Sequence, residues 1–167
     1  VLDADALNVL AGEPGVLAAR EGRVTIVTPH PGEMARLLGT SAAAVQEHRL
    51  RVARDLATTH GVYVVLKGHR TLTATPTGRV FINPTGNAGM ATGGSGDVLT
   101  GMLAAWLMQV DHPEHACQIS VYLHGAAGDL AAADVGEVAM TAGDILAALG
   151  DATEELTASR RVDPAAP

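Results

Sequence analysis

Residues 87–103 read NAGMATGGSGDVLTGML, a run in which glycines and small hydroxyl residues come directly before an apolar helical pattern. Glycines at a helix start let backbone N–H groups approach an anion, because no Cβ atom intervenes and the helix dipole favours negative charge there. The run therefore predicts an anion site at the start of a helix, formed by Gly93, Gly94, Ser95 and Gly96. A phosphate group fits this site best.

Asp97 lies in the first turn of the same predicted helix. A carboxylate is stabilised there by the helix dipole, and it can also act as general base towards a hydroxyl that accepts a phosphoryl group. The pairing of Asp97 with an anion site favours phosphoryl transfer. The alternative is an ordinary strand-to-helix turn in which the aspartate only caps the helix. No Gly-Lys-Ser or Gly-Lys-Thr follows the glycines, which excludes the P-loop class.

The composition is typical of one soluble globular domain. The chain has 167 residues, of which 47% are hydrophobic and 2% aromatic, so we expect a core of Ala, Val and Leu. No apolar run is long enough to span a membrane. The net charge of −7 leaves no basic surface for a nucleic-acid backbone, so neither a membrane nor nucleic acid is an expected partner.

Cysteine and histidine usage argues against disulfides and metal sites. The single cysteine, Cys117, cannot form an internal disulfide and is expected to be a small core residue of a cytoplasmic protein. The seven histidines show no metal-binding spacing, so we expect no metal site built by the protein alone.

Hydrophobic periodicity predicts alternating strands and helices, and hence an α/β fold with a mostly parallel sheet flanked by helices. Residues 1–3 resemble the end of a strand, and the tail from Ser159 has no periodicity. We assign residues 1–150 to one domain portion and residues 151–167 to a helix end and a disordered tail. Strands are predicted over 23–27, 62–66, 71–75 and 79–83, the last two as a hairpin, and helices over 6–10, 33–38, 41–59, 95–109, 111–133 and 141–149.

Three turns with polar residues follow strands, at Leu2, Val27 and Leu66. Ligands of parallel sheets bind beyond the carboxyl ends of the strands, so we expect the three turns to meet at one site. That site would contain Asp3, Asp5, Asn8, His30, Glu33, Lys67 and Asp97.

Each of these turns also has a simpler, purely structural interpretation. The segment KGHRT at 67–71 places a cation and a hydroxyl where a di- or triphosphate can bind, but it also suits a solvated hairpin turn. The prolines around His30 hold it rigidly for ligand contact, although Glu33 can simply cap the following helix. Asp3, Asp5 and Asn8 suit polar ligand recognition, water-mediated Mg²⁺ positioning or capping. The small residues of 122–129 favour close helix packing.

Four segments together resemble the ADP- or ATP-dependent NAD(P)H-hydrate dehydratases. They are DADALN at 3–8, TPHPGE at 28–33, KGHRT at 67–71 and NAGMATGGSGD at 87–97, and their order and spacing match as well. The resemblance covers the chain from Val1 to about Leu149. It implies a ribokinase-like α/β fold and a repair reaction, in which hydrated NADH or NADPH (NADHX or NADPHX) is phosphorylated and then loses phosphate.

The resemblance also implies roles for individual residues. Asp97 is the catalytic aspartate, residues 93–96 form the anion hole, and His30 contacts the hydrated dinucleotide. Nucleotide phosphates are held by Lys67, Gly68, His69, Arg70 and Thr71 together with Gly96. Asp97, Asp3, Asn8, Glu33 and Asn87 complete the candidate substrate site.

The same resemblance implies ADP or ATP as phosphate donor, Mg²⁺ as accompanying ion, a homo-oligomer and a coupled NAD(P)HX epimerase. One departure matters, because the family's domain has a front half that is missing before Val1. We therefore expect a fragment that is inactive alone. Two alternatives stay open: a small-molecule kinase of the same superfamily, of the thiazole or pyrimidine type, and a nucleotide-binding remnant without turnover.

Overall fold

The structure, a computed structural model, describes residues 1–20 and 22–159. This part of the chain forms four strands and eight α-helices, with three helices between the first two strands and four helices after the last strand. The strands are β1 (Ile26–Val27), β2 (Tyr63–Leu66), β3 (Leu72–Ala74) and β4 (Val80–Ile82), and the helices are α1 (Asp5–Val9), α2 (Pro31–Leu38), α3 (Ala42–Glu47), α4 (Arg49–His60), α5 (Ser95–Leu107), α6 (Pro113–Val135), α7 (Ala142–Ala147) and α8 (Leu149–Ser159). Two 3-10 helices span Pro14–Arg20 and Ala88–Met90.

The sheet has the strand order β1-β2-β3-β4. β1 pairs with β2 in parallel, and Leu2 adds a parallel bridge to Val27. β2, β3 and β4 pair antiparallel, which confirms the hairpin predicted over 71–83. Parallel pairing is thus confined to the part of the sheet nearest the N-terminus, whereas a mostly parallel sheet was expected. The short turn at Pro76–Gly78 leaves no room for a crossover, so the strands that it joins must run antiparallel.

Helices pack on both faces of the sheet. The side chains of β2 alternate in direction, so successive residues contact helices on opposite faces. Val64 and Leu66 belong to a buried cluster with α2, α3 and α4, whereas Val65 packs with Leu99 and Leu103 of α5. A further cluster joins α5 to α6, α7 and α8. Cys117 is fully buried in the cluster of Val65, as expected for a core residue, and burial raises the pKa of its thiol to about 12.

Two helix predictions were wrong in detail. The single helix predicted over 41–59 is two helices, α3 and α4, with a break at His48. Ser41 caps the first of them, since its hydroxyl oxygen accepts the Ala44 N–H at 3.1 Å. The helix predicted from residue 111 begins at Pro113 instead; His112 is the N-cap of α6 and makes no side-chain cap hydrogen bond. Glu114 instead pairs with Arg79 of the hairpin, a partner distant in sequence.

The C-terminal part continues beyond the last predicted helix. Thr141 and Asp144 form a capping box at the start of α7, and the separate helix α8 follows it. The tail predicted from Ser159 onward lies outside the described residues except for Ser159 itself, which ends α8. Among residues 1–20 and 22–159, no helix combines the length and apolar composition that crossing a bilayer requires.

Candidate functional site

A cavity of about 500 Å³ opens where the ends of β1 and β2 face the first turn of α5. Its volume is in the range of small-molecule sites. Five groups of residues line it: His30 and Pro31; Lys67, Gly68, His69, Arg70 and Thr71; Asn83 and Thr85 to Met90 apart from Gly89; Ala91, Thr92, Ser95, Gly96 and Leu99; and Val121, His124 and Gly125. The structure thus brings together three of the sequence motifs: the turn after β1, the turn after β2 and the glycine run.

The three strand ends meet through Lys67. Its ammonium Nζ lies 2.7 Å from Oδ1 of Asp3 and 3.7 Å from Oε2 of Glu33. A Cβ atom on Gly96 would lie 3.2 Å from this Nζ, so the glycine leaves room for the lysine beside α5. The expected meeting of these turns is therefore present, although Asp3 and Glu33 lie behind Lys67 and do not line the cavity.

Asp3 is held as a carboxylate by its neighbours. Thr100 of α5 donates its hydroxyl to Oδ2 at 3.0 Å, and Lys67 donates to Oδ1. Burial acts to raise the pKa of Asp3, but the hydrogen bonds from Lys67, Thr28 and Thr100 and the lysine charge outweigh it, so the pKa lies below its usual value. Asp3 thus links the N-terminal strand to β2 and to α5.

His30 and Glu33 form the start of α2. His30 Nδ1 accepts the Gly32 N–H at 3.0 Å, and Glu33 Oε2 accepts the His30 N–H at 2.7 Å, which makes a reciprocal capping box. Because Nδ1 is an acceptor here, the proton of a neutral ring lies on Nε2, which is 3.3 Å from Glu33 Oε1. Glu33 therefore does cap the helix, and it also orients the half-exposed imidazole at the cavity wall.

The glycine turn leaves backbone donors free. Gly94 has a left-handed conformation with φ of 86° and is the N-cap of α5. The Ser95 and Asp97 N–H groups donate to Thr92 and Gly94 carbonyls, whereas those of Gly93, Gly94 and Gly96 have no acceptor within residues 1–20 and 22–159. Unpaired N–H groups at a helix start are what an anion requires. Ser95 and Gly96 line the cavity, while Gly93 and Gly94 are exposed beside it.

Asp97 is exposed in the first turn of α5. Its side chain makes no hydrogen bond or ion pair with any residue that the structure describes. It directly follows Gly96, which lines the cavity, but does not itself line it. The carboxylate is therefore accessible and unpaired next to the free N–H groups.

Asn87 lines the cavity from the other side. Its Nδ2 donates to the Gly128 carbonyl at 2.9 Å and to Oδ1 of Asp129 at 3.0 Å, and Asp129 Oδ2 accepts the Gly86 N–H at 2.9 Å. Gly125 lets this segment lie directly on α6, because a Cβ there would be 2.8 Å from the Thr85 carbonyl. The small residues of 122–129 serve packing, as favoured from the sequence. Asp129 was missed, because nothing in its local sequence signals a partner some forty residues away.

His124 of α6 was also missed. It is buried beneath the first turn of α5, with Nε2 at 2.9 Å from the Ser95 carbonyl oxygen. Burial lowers its pKa to about 4, despite the opposing effect of the hydrogen bond to Ser95, and the nearby Lys67 charge lowers it further. The ring is therefore neutral at physiological pH and donates Nε2–H to that carbonyl, which fixes the start of α5 from below.

Asn8 and Asp5 do not join the cavity. Asn8 lies on α1, where its Oδ1 accepts from Arg36 Nε at 2.9 Å, and Asp5 is a neighbour on the same helix. Neither lines the cavity, so the DADALN segment contributes through Asp3 alone to the interactions behind it. Within the part of the chain that the structure describes, no three His, Cys, Asp or Glu side chains are grouped as a metal site would require.

Comparisons with known proteins show the family to which the chain belongs. A family model described as NAD(P)H-hydrate dehydratase matches residues 1–150. The chain belongs to this family. The bifunctional NAD(P)H-hydrate repair enzyme of Moorella thermoacetica is 56% identical over 146 residues, which are 87% of this chain and 27% of that protein.

Solved structures of similar proteins agree with membership of the NAD(P)H-hydrate dehydratase family. The ADP/ATP-dependent NAD(P)H-hydrate dehydratase of Bacillus subtilis, co-crystallised with ATP and Mg²⁺, has a TM-score of 0.80 and 34% identity over 92% of this chain and 53% of that one. A ribokinase-like superfamily protein of Enterococcus faecalis gives a TM-score of 0.68 at 28% identity, over 92% of this chain and 51% of that one. The expected ribokinase-like α/β fold is thereby confirmed. The chain spans between a quarter and a half of the length of the curated relatives it matches.

Proposed function

We propose that the protein dehydrates NAD(P)HX to NADH or NADPH, using ADP or ATP as phosphate donor. The observation that supports this most is the start of α5, where free N–H groups of Gly93, Gly94 and Gly96 lie beside the unpaired carboxylate of Asp97. Family membership gives the chemistry to which this arrangement is suited.

In the first step Asp97 accepts the proton of the substrate hydroxyl while that oxygen attacks the terminal phosphorus of the nucleotide. The bond between this phosphorus and its bridging oxygen breaks, and AMP leaves when ADP is the donor, or ADP when ATP is the donor. The backbone N–H groups of Gly93, Gly94 and Gly96 stabilise the charge on the transferring phosphoryl oxygens. Because they are fixed by the helix start, they need no reorganisation during the reaction.

In the second step the phosphate leaves from the nicotinamide ring. Phosphate is a far better leaving group than hydroxide, and the lone pair of the ring nitrogen supplies the electrons that expel it. Loss of a proton to solvent from the neighbouring ring carbon then returns the lone pair to the nitrogen and restores the double bond of the reduced nicotinamide. We assign the contact with the dinucleotide to His30, which Glu33 orients at the cavity wall.

The nucleotide phosphates are assigned to residues 67–71 and Gly96, which line the same cavity. Mg²⁺ fits this site as an ion that arrives with the phosphates, because it keeps several waters and needs few protein ligands. When bound, it neutralises charge on the phosphate oxygens. The acidic pair Asp3 and Glu33 is already occupied by Lys67, so we assign no protein ligand to the ion.

Further proposals concern the protein as a whole. We assign residues 1–150 to the C-terminal portion of a dehydratase domain, and we expect a homo-oligomer in a cytoplasmic setting, consistent with the buried thiol of Cys117. The relative from Moorella thermoacetica is bifunctional, which supports functional coupling to an NAD(P)HX epimerase. Chromatography with light scattering would test the oligomer.

The experiment that tests the reaction uses the protein in its full natural length with NADHX and either nucleotide. A rise in the absorbance of reduced nicotinamide, together with one phosphate released per product, supports the proposal. A stable phosphorylated product without reduced nicotinamide would favour a small-molecule kinase instead. Nucleotide binding with no product of either kind would favour a binding remnant.

A further inference from the structure

Arg49, the first residue of α4, reaches across to the turn that follows β2. Its guanidinium donates Nη2–H to the carbonyl oxygens of Leu66 at 3.3 Å and Lys67 at 3.4 Å, and Nη1–H to that of His69. Three carbonyls of one short loop are thus held by a single side chain. A planar guanidinium presents several donors in fixed directions, which a lysine cannot do.

Gly68 provides the space that this contact needs. Its φ of 129° is a conformation that side-chain-bearing residues rarely adopt, and a Cβ there would lie 3.3 Å from Arg49 Nη2. Arg70 also has a positive φ, at 52°. Glycine adopts a positive φ readily, so only Arg70 is held in a conformation that its own backbone preference does not favour.

The position is costly for an arginine. A cation at the start of a helix opposes the helix dipole, and the Nε atom of Arg49 is buried without a partner in the described part of the chain. Among the described residues, the guanidinium makes hydrogen bonds only to carbonyls of residues 66–69, so its structural role is to hold this loop.

The backbone donors of this loop are free. The N–H groups of Gly68, His69 and Arg70 have no acceptor within residues 1–20 and 22–159, and all three residues line the cavity. The ammonium of Lys67 is already paired with Asp3 and close to Glu33. The backbone N–H groups therefore remain available to phosphate oxygens, beside the side chains of His69 and Arg70, and successive N–H groups of this kind bind anions.

We propose that Arg49 is a positioning residue that holds the carbonyls of residues 66–69 so that the N–H groups of residues 68–70 can bind the nucleotide phosphates. This inference rests on the proposed function, since it takes the loop as the phosphate site. Arg49 acts from behind the loop and does not itself touch the ligand.

The test compares the binding of ADP and of adenosine, which lacks phosphate, by isothermal titration calorimetry. Arg49→Met removes the donors, and Arg49→Lys retains the charge without the planar geometry. Arg51→Met is the matched control, because Arg51 is exposed on the same helix and makes no hydrogen bond or ion pair with the described residues. Thermal unfolding of each variant checks that it is folded.

We expect Arg49→Met and Arg49→Lys to weaken ADP binding by about tenfold or more, while adenosine binding changes by less than about twofold. Arg51→Met should leave both affinities unchanged. In turnover, the KM for ADP should rise, whereas kcat and the KM for NADHX should not. If Arg49→Met does not fold, Arg49→Lys alone decides the question.

Equal loss of ADP and adenosine binding in a folded variant would overturn the inference, as would unchanged ADP binding in a folded Arg49→Lys variant. A wild-type protein that binds adenosine as tightly as ADP would overturn it too. Failure of the proposed function has a different signature: ADP binds in a phosphate-dependent, Arg49-dependent manner, but NADHX is not converted.

Discussion

Asp97 combines exposure, a position in the first turn of α5 and the absence of a partner among the described residues. A carboxylate with a purely structural capping role would bond a backbone N–H of its own turn, as Asp144 does at Thr141. The free carboxylate of Asp97 is instead suited to take a proton from a bound hydroxyl.

Substitution Asp97→Asn should therefore separate binding from chemistry. We expect the affinity for ADP to be retained and kcat to fall by about a hundredfold or more, since general-base catalysis contributes on this scale. Steady-state kinetics and calorimetry measure the two effects. Asp151→Asn, at an exposed position on α8, is the control and should leave both unchanged. Unchanged turnover in Asp97→Asn would remove this carboxylate from the mechanism.

His124 should make stability dependent on pH. Its pKa in the folded protein is about 4, against an ordinary value of 6.5, so the unfolded chain binds a proton that the folded chain does not between these values. Stability is therefore fully present above pH 6.5 and falls on acidification towards pH 4, by about 1.4 kcal/mol per pH unit for one proton.

Urea denaturation at several pH values measures this effect in wild type and in His124→Gln. The glutamine amide can still donate to the Ser95 carbonyl but does not titrate, so we expect a flatter dependence in this interval. His115→Gln, at an exposed position, should behave as the wild type. If the free energy of unfolding of His124→Gln depends on pH as steeply as that of the wild type, another group causes the acid sensitivity. Protonation of Asp3, whose pKa lies below its usual value, lowers the stability further in a more acidic range.

At the residue scale, residues 67–71, His30 and Gly96 line the cavity, and local signals pointed to them, because they lie directly after strands or at a helix start. Asn87 also lines it, but only the family resemblance had assigned it to the site. It did not predict Arg49, His124 or Asp129. Each of these acts on a backbone group that is distant in sequence, and only the fold shows the pairing. Asn8 was assigned to the site because it follows a strand end closely, but α1 turns it towards Arg36.

Among the elements, the contact between residues 83–91 and α6 defines one wall of the cavity. Thr85 donates its hydroxyl to the Tyr122 carbonyl at 2.9 Å, and Gly125 lies directly beneath. Since the approach is between backbone atoms, it cannot be relieved by moving a flexible side chain. We therefore expect a single methyl group added at Gly125 to displace this wall.

We expect Gly125→Ala to destabilise the protein by about 1–3 kcal/mol, as overpacking does, and to weaken substrate binding by displacing the wall. Gly101→Ala is the matched control, because Gly101 lies exposed on α5 and a Cβ there meets nothing within 4 Å. It should stabilise by about 0.5–1 kcal/mol through helix propensity. Chemical denaturation of both variants is the measurement, and equal effects would contradict the packing argument.

Element boundaries were predicted with mixed success for physical reasons. The break at His48 within 41–59 interrupts a continuous amphipathic pattern, and it makes Arg49 the first residue of α4, from where it reaches the loop after β2. The 3-10 helix Pro14–Arg20 was not predicted, since it has no helical repeat of its own. The hairpin was predicted well because its turn and alternating strands are local features.

At the scale of the whole molecule, helices pack on both faces of the sheet, so the stability of the fold depends on buried side chains in each layer. Leu103 is fully buried between β2 and α6, whereas Met108, just after the same helix, is 87% exposed. Leu103→Ala should cost about 2–5 kcal/mol in the free energy of unfolding, and Met108→Ala should change it by less than about 0.5 kcal/mol. Equilibrium unfolding in urea measures both. Comparable values would contradict the assignment of the core.

The most direct test of the whole account follows the absorbance of reduced nicotinamide when the full-length protein is mixed with NADHX and ADP or ATP. We expect NADH to form only when nucleotide is present, in equal amount to the phosphate released, and the Asp97→Asn protein to bind ADP without forming it. NADH formation that needs no nucleotide, or no NADH with either nucleotide, would contradict the account.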